Sequence, residues 1–298
     1  MAGNIAAFLL LALAIRQLRV DLSYPEILAV RSAGGVLISL AIGWRDPALF
    51  REIWRSSLPL NLGRSLLHAV GSVAVVWSVA NLPLGLVASI DFSGPLFAAA
   101  IGFLVFRLMP TRGAWAGFVL IFAGAVLIVS GYMDVIGLAI IIPFVGVAVL
   151  TGTNIMLATL SSRQSTRSIL FLMNATQLIV FLSLTAVGAD RLGLPSASLS
   201  TVAALPHGPV TFALAVVAMA LSGYMTQASL SQATRYGTAV QVSALDILRI
   251  PVLAIAGAVF LDETISRELI IPATVIMCGA LLVAASGGND RLRLRIKR

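Results

Sequence analysis

Long apolar runs separated by short polar breaks occupy nearly the whole chain. The runs fall at 2–18, 25–43, 58–79, 83–106, 112–131, 137–159, 167–188, 208–230, 237–261 and 268–286. A helix needs roughly 20 apolar residues to cross a bilayer, and about ten such segments fit end to end here. The breaks carry turn chemistry, among them Gly43-Trp-Arg-Asp-Pro47, Asn81-Leu-Pro83, Pro110-Thr-Arg112 and Gly131-Tyr-Met-Asp134. Most are short, which predicts antiparallel neighbours. The longest, Gly188–Pro209, is polar and rich in Pro and Ser, and is the candidate external loop.

The pattern repeats. Shifting the chain by 155 residues lays Asp91 on Asp246, Gly102 on Gly257, Arg112 on Arg267 and Gly124 on Gly279. Acids at matching places inside apolar runs point to a duplicated chain. Pro95 and Pro251 miss each other by one position, so the repeat is imperfect. Five helices per half is an odd number, so the halves enter the membrane from opposite sides. Such inverted repeats place substrate sites near the midplane, between the halves.

Composition supports lipid as the solvent. Hydrophobic residues make up 59% of the 298 and charged residues 11%, against about 25% charged in a soluble domain. The first run opens almost at Met1 with no basic stretch or cleavage pattern, predicting a transmembrane helix and not a signal peptide. A lone Cys278 forms no internal disulfide. The net charge of +8 sits in the breaks. With both termini cytoplasmic, inner breaks and tail hold thirteen Lys or Arg, and the outer breaks hold only Arg16, Arg19, Arg191 and Arg267. That bias fixes a topology and accounts for the charge without nucleic acid. The basic tail suits anionic lipid.

Several features resemble a known family. They are Arg31 in LAVRSAGG, Arg64 opening the third helix, and the Leu-Pro-Leu and Ser-Gly-Pro95-Leu-Phe97 elements of the fourth. Asp262-Glu263 closing the ninth helix and the Gly-rich fifth and tenth helices complete the set. With the ten-span plan, the chain resembles the drug/metabolite transporter superfamily, with two EamA-type repeats of five helices. The Arg31, Arg64 and Pro95-Leu-Phe pattern is also similar to the S-adenosylmethionine-uptake-like branch. One departure stands out. The family often ends its fourth helix with a glutamate, where this chain has Phe106-Arg107-Leu108, while the second repeat keeps Glu263.

Charges within a span cost about 2.5–3.5 kcal/mol at a central position, so they face a cavity or a partner. Arg31, Arg64, Asp91, Asp246 and Arg249 are such charges. Asp246 and Arg249 are three apart and share a helix face. They read either as a structural pair or as a cation or proton site beside an anion site. Asp91, with no basic neighbour on its own helix, is expected to pair with Arg31 or Arg64 or to sit protonated, which suits proton coupling. Asn61, Arg64, His68 and Ser72 form one stripe of the third helix, and Tyr224, Gln227 and Ser231 a similar stripe of the eighth. Each stripe reads as interhelical glue or as a cavity wall. Asn154, Asn174 and Gln177 are weaker candidates. Pro95 and Pro251 follow the two acids by four and five residues and predict bends that can serve as gates. Glycines 113, 117 and 124 suit close helix packing.

The expected fold is thus an all-α integral membrane protein of about ten transmembrane helices in two inverted five-helix repeats. The repeats are residues 1–131 and 137–286, with a basic cytoplasmic tail at 287–298. The expected function is a gradient-driven secondary transporter in the cytoplasmic (inner) membrane, moving a small polar metabolite, amino-acid-like or otherwise of mixed charge, by alternating access. Its cavity is expected between helices 3, 4, 8 and 9. Substrate contacts are assigned to Arg64, His68, Asp91, Tyr224, Gln227, Asp246 and Arg249, coupling to Asp91 and Asp246, and gating to Pro95 and Pro251. The chain carries no nucleotide-binding, zincin or paired-cysteine motif, so no cofactor, metal or enzymatic activity is expected. The expected partners are the solute and membrane lipid, with a homodimer allowed. The rival reading is a non-transporting membrane scaffold or accessory subunit, in which the polar stripes only join helices.

Overall fold

A computed structural model of the chain describes residues 2–44, 48–54, 57–107, 109–188, 208–236 and 249–286. Asp246 with residues 237–248 of the expected ninth span, residues 189–207 of the candidate external loop, and the tail at 287–298 lie outside the described residues. The described residues hold helices and no strands: the chain is an all-α membrane protein. The helices are α1 (Ala2–Leu18), α2 (Tyr24–Gly43), α3 (Ala48–Trp54), α4 (Leu58–Asn81), α5 (Leu84–Asp91) and α6 (Gly94–Phe106). They continue with α7 (Arg112–Ile136), α8 (Ile141–Ser161), α9 (Thr166–Ala186), α10 (Pro209–Tyr236), α11 (Arg249–Leu261) and α12 (Arg267–Ala285). Among the described residues seven stretches are long and apolar enough to cross a membrane, and two shorter apolar helices, Gly3–Leu18 and Arg249–Leu261, join them.

One of those stretches, Arg112–Ser161, runs for 50 residues. As a single straight helix it would reach about 75 Å, more than twice the roughly 30 Å of a hydrocarbon core. It is cut at Gly137, whose φ of 64° ends α7 before a single 3-10 turn, Gly137–Ile140, leads into α8. The break thus falls six residues beyond the expected one at Gly131-Tyr-Met-Asp134. Tyr132 and Asp134 ride the last turns of α7, because polar side chains at a helix end reach water without ending the helix. The expected fourth span is divided as well. Phe92 and Ser93 form a turn between α5 and α6, with the Ser93 amide bonding the Ile90 carbonyl at 2.9 Å. Pro95 sits in the first turn of α6, where its missing N–H is no loss. Pro251 is the third residue of α11.

Local chemistry sets the helix starts. Ser23 and Glu26 form a capping box on α2, with Pro25 in its first turn. Thr111 caps α7 by accepting from the Ala114 amide at 3.3 Å. The expected polar break after α2 contains the short helix α3, whose Glu52 accepts bonds from the Ser165 amide and hydroxyl at the start of α9.

The burial pattern is that of a protein dissolved in lipid. On α4, Asn61, Arg64, Ser65, His68 and Ser72 are buried, while Leu62, Leu66, Leu67 and Val70 are exposed. In water that would be inverted. The large exposed apolar side chains of α7, including Trp115, Val119, Phe122 and Val126, show the same orientation.

Helices of the two halves interleave. α1 packs on α10 and α4 on α8; α2 on α9, α5 on α11 and α7 on α12; α2 also meets α10, and α4 meets α9. Exchanging each helix with its counterpart in the other half swaps α1–α10 with α4–α8 and α2–α10 with α4–α9. It returns α2–α9 and α7–α12 to themselves. Helix bounds obey the same 155-residue shift: α6 falls on α11 at both ends, α7 and α12 start together, and α4 and α10 end together. Arg107 and Asp262, which follow α6 and α11, both have positive φ, 53° and 50°.

The α7–α12 seam depends on small residues. A Cβ on Gly117 would stand 2.6 Å from the Gly279 carbonyl, and one on Gly124 would stand 3.0 Å from the Pro272 carbonyl. The shift of 155 turns one contact into the other. Gly117→Val is therefore expected to destabilise the protein by about 1–3 kcal/mol through overpacking. Gly152, where a new Cβ meets nothing nearer than Ile101 at 3.9 Å, should accept Ala with little change. Thermal unfolding of both variants in detergent checks the contrast.

Candidate functional site

Both halves wall a cavity of about 370 Å3, with contributions from α1, α2, α4, α5, α6, α8, α10, α11 and α12. Its polar lining includes Arg31, His68, Ser72, Asp91, Gln227 and Arg249. Under the shift of 155, Ser72 and Val75 fall on Gln227 and Leu230, and all four line the cavity. His68 and Ser72 of the α4 stripe and Gln227 of the α10 stripe therefore face one space.

Two charged groups meet across the halves. Asp91, the last residue of α5, forms an ion pair with Arg249, the first of α11. The Arg249 guanidinium also lies 4.9 Å from the Phe8 ring centre and 5.7 Å from that of Phe92, within cation–π range. This corrects the expected partner of Asp91. Arg31 and Arg64 are held elsewhere, and the packing of α5 on α11 brings Arg249 to it instead.

Arg31 heads a second cluster. Its Nη2 donates to Ser72 Oγ at 3.0 Å and to Gln177 Oε1 at 2.8 Å. His68 Nδ1 stands 2.8 Å from Gln177 Nε2 and 3.0 Å from Ser72 Oγ. Gly223 lets the Arg31 stem pass, since a Cβ there would lie 2.4 Å from Arg31 Cγ. Gln177, expected only as a minor candidate, is fully buried and joins Arg31 to His68.

Not every expected site residue reaches the cavity. Arg64 is buried between α4 and α8, where its Nε donates to the Thr153 carbonyl at 3.3 Å. It is absent from the cavity lining because its part of the α4 stripe turns toward α8. Asn61 likewise bonds Gln164 at 3.1 Å. Ser231 bonds Thr166 at 3.0 Å, and Tyr224 is half-buried outside the lining. Pro95 lines the cavity; Pro251 does not.

Sequence reasoning missed a clasp beside the α4–α5 turn. Arg16, counted there only as a topology charge, donates from Nη2 to Glu263 Oε1 at 2.7 Å and to the Leu82 carbonyl at 2.5 Å. Its Nε donates to the Val79 carbonyl. Glu263 Oε2 accepts from the Leu84 amide at 2.8 Å. One ion pair thus joins the end of α1, the α4–α5 turn and the α11–α12 loop. Burial raises the Glu263 carboxyl above its ordinary pKa, against the opposing pull of Arg16 and the Leu84 amide. Gly257 makes room, because a Cβ there would lie 2.2 Å from Glu263 Oε2. The usable signal was a basic residue near the edge of the first span and an acid just past the end of the ninth.

The Asp91–Arg249 pair predicts energetic coupling. Asp91→Asn and Arg249→Gln should each cost about 1–2 kcal/mol, between the values for exposed and fully buried pairs, because the pair is partly buried at the cavity wall. The double variant should lose well under the sum. Thermal unfolding of the four proteins measures the cycle, and additive losses would show that the pair contributes nothing.

Comparison with known proteins agrees with this architecture. A sequence model of the EamA-like transporter family matches residues 3–130. The match is at the level of the family and does not reach the S-adenosylmethionine-uptake-like branch. No curated protein sequence matches the chain. A solved crystal structure, described only as that of a protein, is similar with a TM-score of 0.59 at 17% identity, over 94% of this chain and 95% of its own. At that identity the likeness is one of fold.

Proposed function

On the premise that residues 3–130 belong to the EamA-like transporter family, we propose that the chain is a secondary transporter that moves a small, polar, mixed-charge solute by alternating access. The observation that carries this reading is the cavity shared by both halves, lined by a carboxylate and two guanidiniums. A wall bearing both signs suits an amino-acid-like solute. Asp91 and Arg249 are the solute or coupling contacts, with Asp246 as the sequence counterpart of Asp91. His68 and Gln227 complete the wall.

The two halves act as inverted repeats of five helices. The exchange pattern of helix pairs and the common 155-residue register support this. The arginine distribution supports cytoplasmic termini in the cytoplasmic membrane. In that orientation the Arg16–Glu263 clasp lies at the outer end. The cavity reaches Asn4, twelve residues and about 18 Å along α1 from Arg16. The clasp closes one end while the cavity extends toward the other, as an inward-facing carrier requires. The turn before Pro95 supplies a hinge beside Asp91. Lacking an ATP-binding motif, the chain runs on a gradient.

Metabolite pools test the proposal. Cells expressing the native chain are compared with cells expressing the Asp91→Asn/Asp246→Asn variant at matched level. One solute class should shift across the membrane with the native chain and shift at least tenfold less with the variant. Indistinguishable pools in media covering amino acids, nucleosides and organic acids would favour a structural role for the acids.

A further inference from the structure

The cavity charges are unequally matched. Asp91 and Arg249 cancel each other. Arg31 has no carboxylate partner among the described residues; its hydrogen bonds go to the neutral side chains of Ser72 and Gln177. A buried guanidinium left in that state is costly. It is tolerated where water or a ligand anion reaches it, and Arg31 lines the cavity.

The geometry points to an oxyanion-binding post made by Arg31 and His68, taking the carboxylate or phosphate group of the transported solute. The inference deepens the transport reading and rests on it for the identity of the cavity. Three features of the cluster build the post. First, a single nitrogen of Arg31, Nη2, makes both bonds to Ser72 and Gln177. Nε and Nη1 remain for a ligand as two separate donors, each able to give a charge-assisted hydrogen bond to an oxyanion.

Second, the donor-only guanidinium fixes the rest of the network. It requires Oε1 of Gln177 on its side, which turns Nε2 toward His68. An amide nitrogen only donates, so His68 Nδ1 accepts and the ring carries its proton on Nε2. That N–H finds no partner side chain among the described residues, and His68 lines the cavity. Arg31 and His68 thus present a cation and a neutral donor to the same space. Third, Gly223 leaves room for the Arg31 stem, so the guanidinium is positioned by packing as well as by bonds.

The two sources of such a group, a carboxylate or a phosphate, are separated by the probes. Purified protein in detergent is titrated with sodium acetate, sodium phosphate or methylammonium chloride at constant ionic strength, and its thermal midpoint is followed. Binding to the folded state raises that midpoint. The native protein should be stabilised by acetate, by phosphate or by both, and not by methylammonium. Arg31→Gln should weaken the effect at least tenfold in apparent affinity, Arg31→Lys should retain part of it, and His68→Gln, which keeps a neutral side chain able to hydrogen-bond Gln177, should weaken it less. Stabilisation by neither anion, or stabilisation that persists in Arg31→Gln, overturns the proposal. If Arg31→Gln does not fold, the decision passes to His68→Gln, and an unchanged anion response there overturns the post. Anion binding without any change in metabolite pools would leave the post standing and remove the transport reading.

Discussion

Charge inside a lipid-dissolved protein must be cancelled or hydrated within the protein itself, and the packing of this chain follows from that. A fully buried Arg16 meets Glu263, and Asp91 meets Arg249. Each pair joins the first half of the sequence to the second. Removing either half would leave unpaired charge in the other. Arg31 instead reaches the cavity, and Arg64 is held against the Thr153 carbonyl. The large apolar side chains point outward to lipid, and the polar stripes of α4 and α10 point inward.

Backbone approach supplies the remaining cohesion. Lipid gives helices no hydrophobic drive to associate, so close packing and hydrogen bonds must hold them. Gly117 against Gly279 and Gly124 against Pro272 draw α7 and α12 together. Gly34 against Ala220 and Gly35 against Asn174 draw α2 toward α10 and α9. Glycine contacts close these seams, and the cavity lies between them, where larger and charged side chains line the space. That division lets a cavity persist inside a closely packed bundle.

Much of this was legible in the sequence. Hydropathy located the apolar stretches seen among the described residues, residues 237–248 of the expected ninth span lying outside them, and the register of 155 anticipated bounds shared by α4, α6 and α7 with α10, α11 and α12. The break at Gly131 was misplaced because polar residues at a membrane interface look alike in a loop and in the last turn of a helix. Periodicity grouped Arg64 with His68, but it does not say which flank of a stripe meets a neighbouring helix. Packing against α8 separates them. The partner of Asp91 lies 158 residues away and that of Arg16 lies 247 away. Long-range pairings of that kind depend on how helices cross, which no local pattern records.

The central claim is that the space between the halves opens to one side of the membrane at a time. Site-directed labelling measures this most directly. In a Cys278→Ala background, single cysteines replace Thr226 and Ser78, both of which line the cavity, and a membrane-impermeant thiol reagent is applied to oriented vesicles from either face. The account predicts labelling from the face bearing the termini, with Glu263→Gln shifting reactivity toward the opposite face as the clasp loosens. No labelling from either face in both backgrounds, or equal labelling from both faces at once, would contradict it.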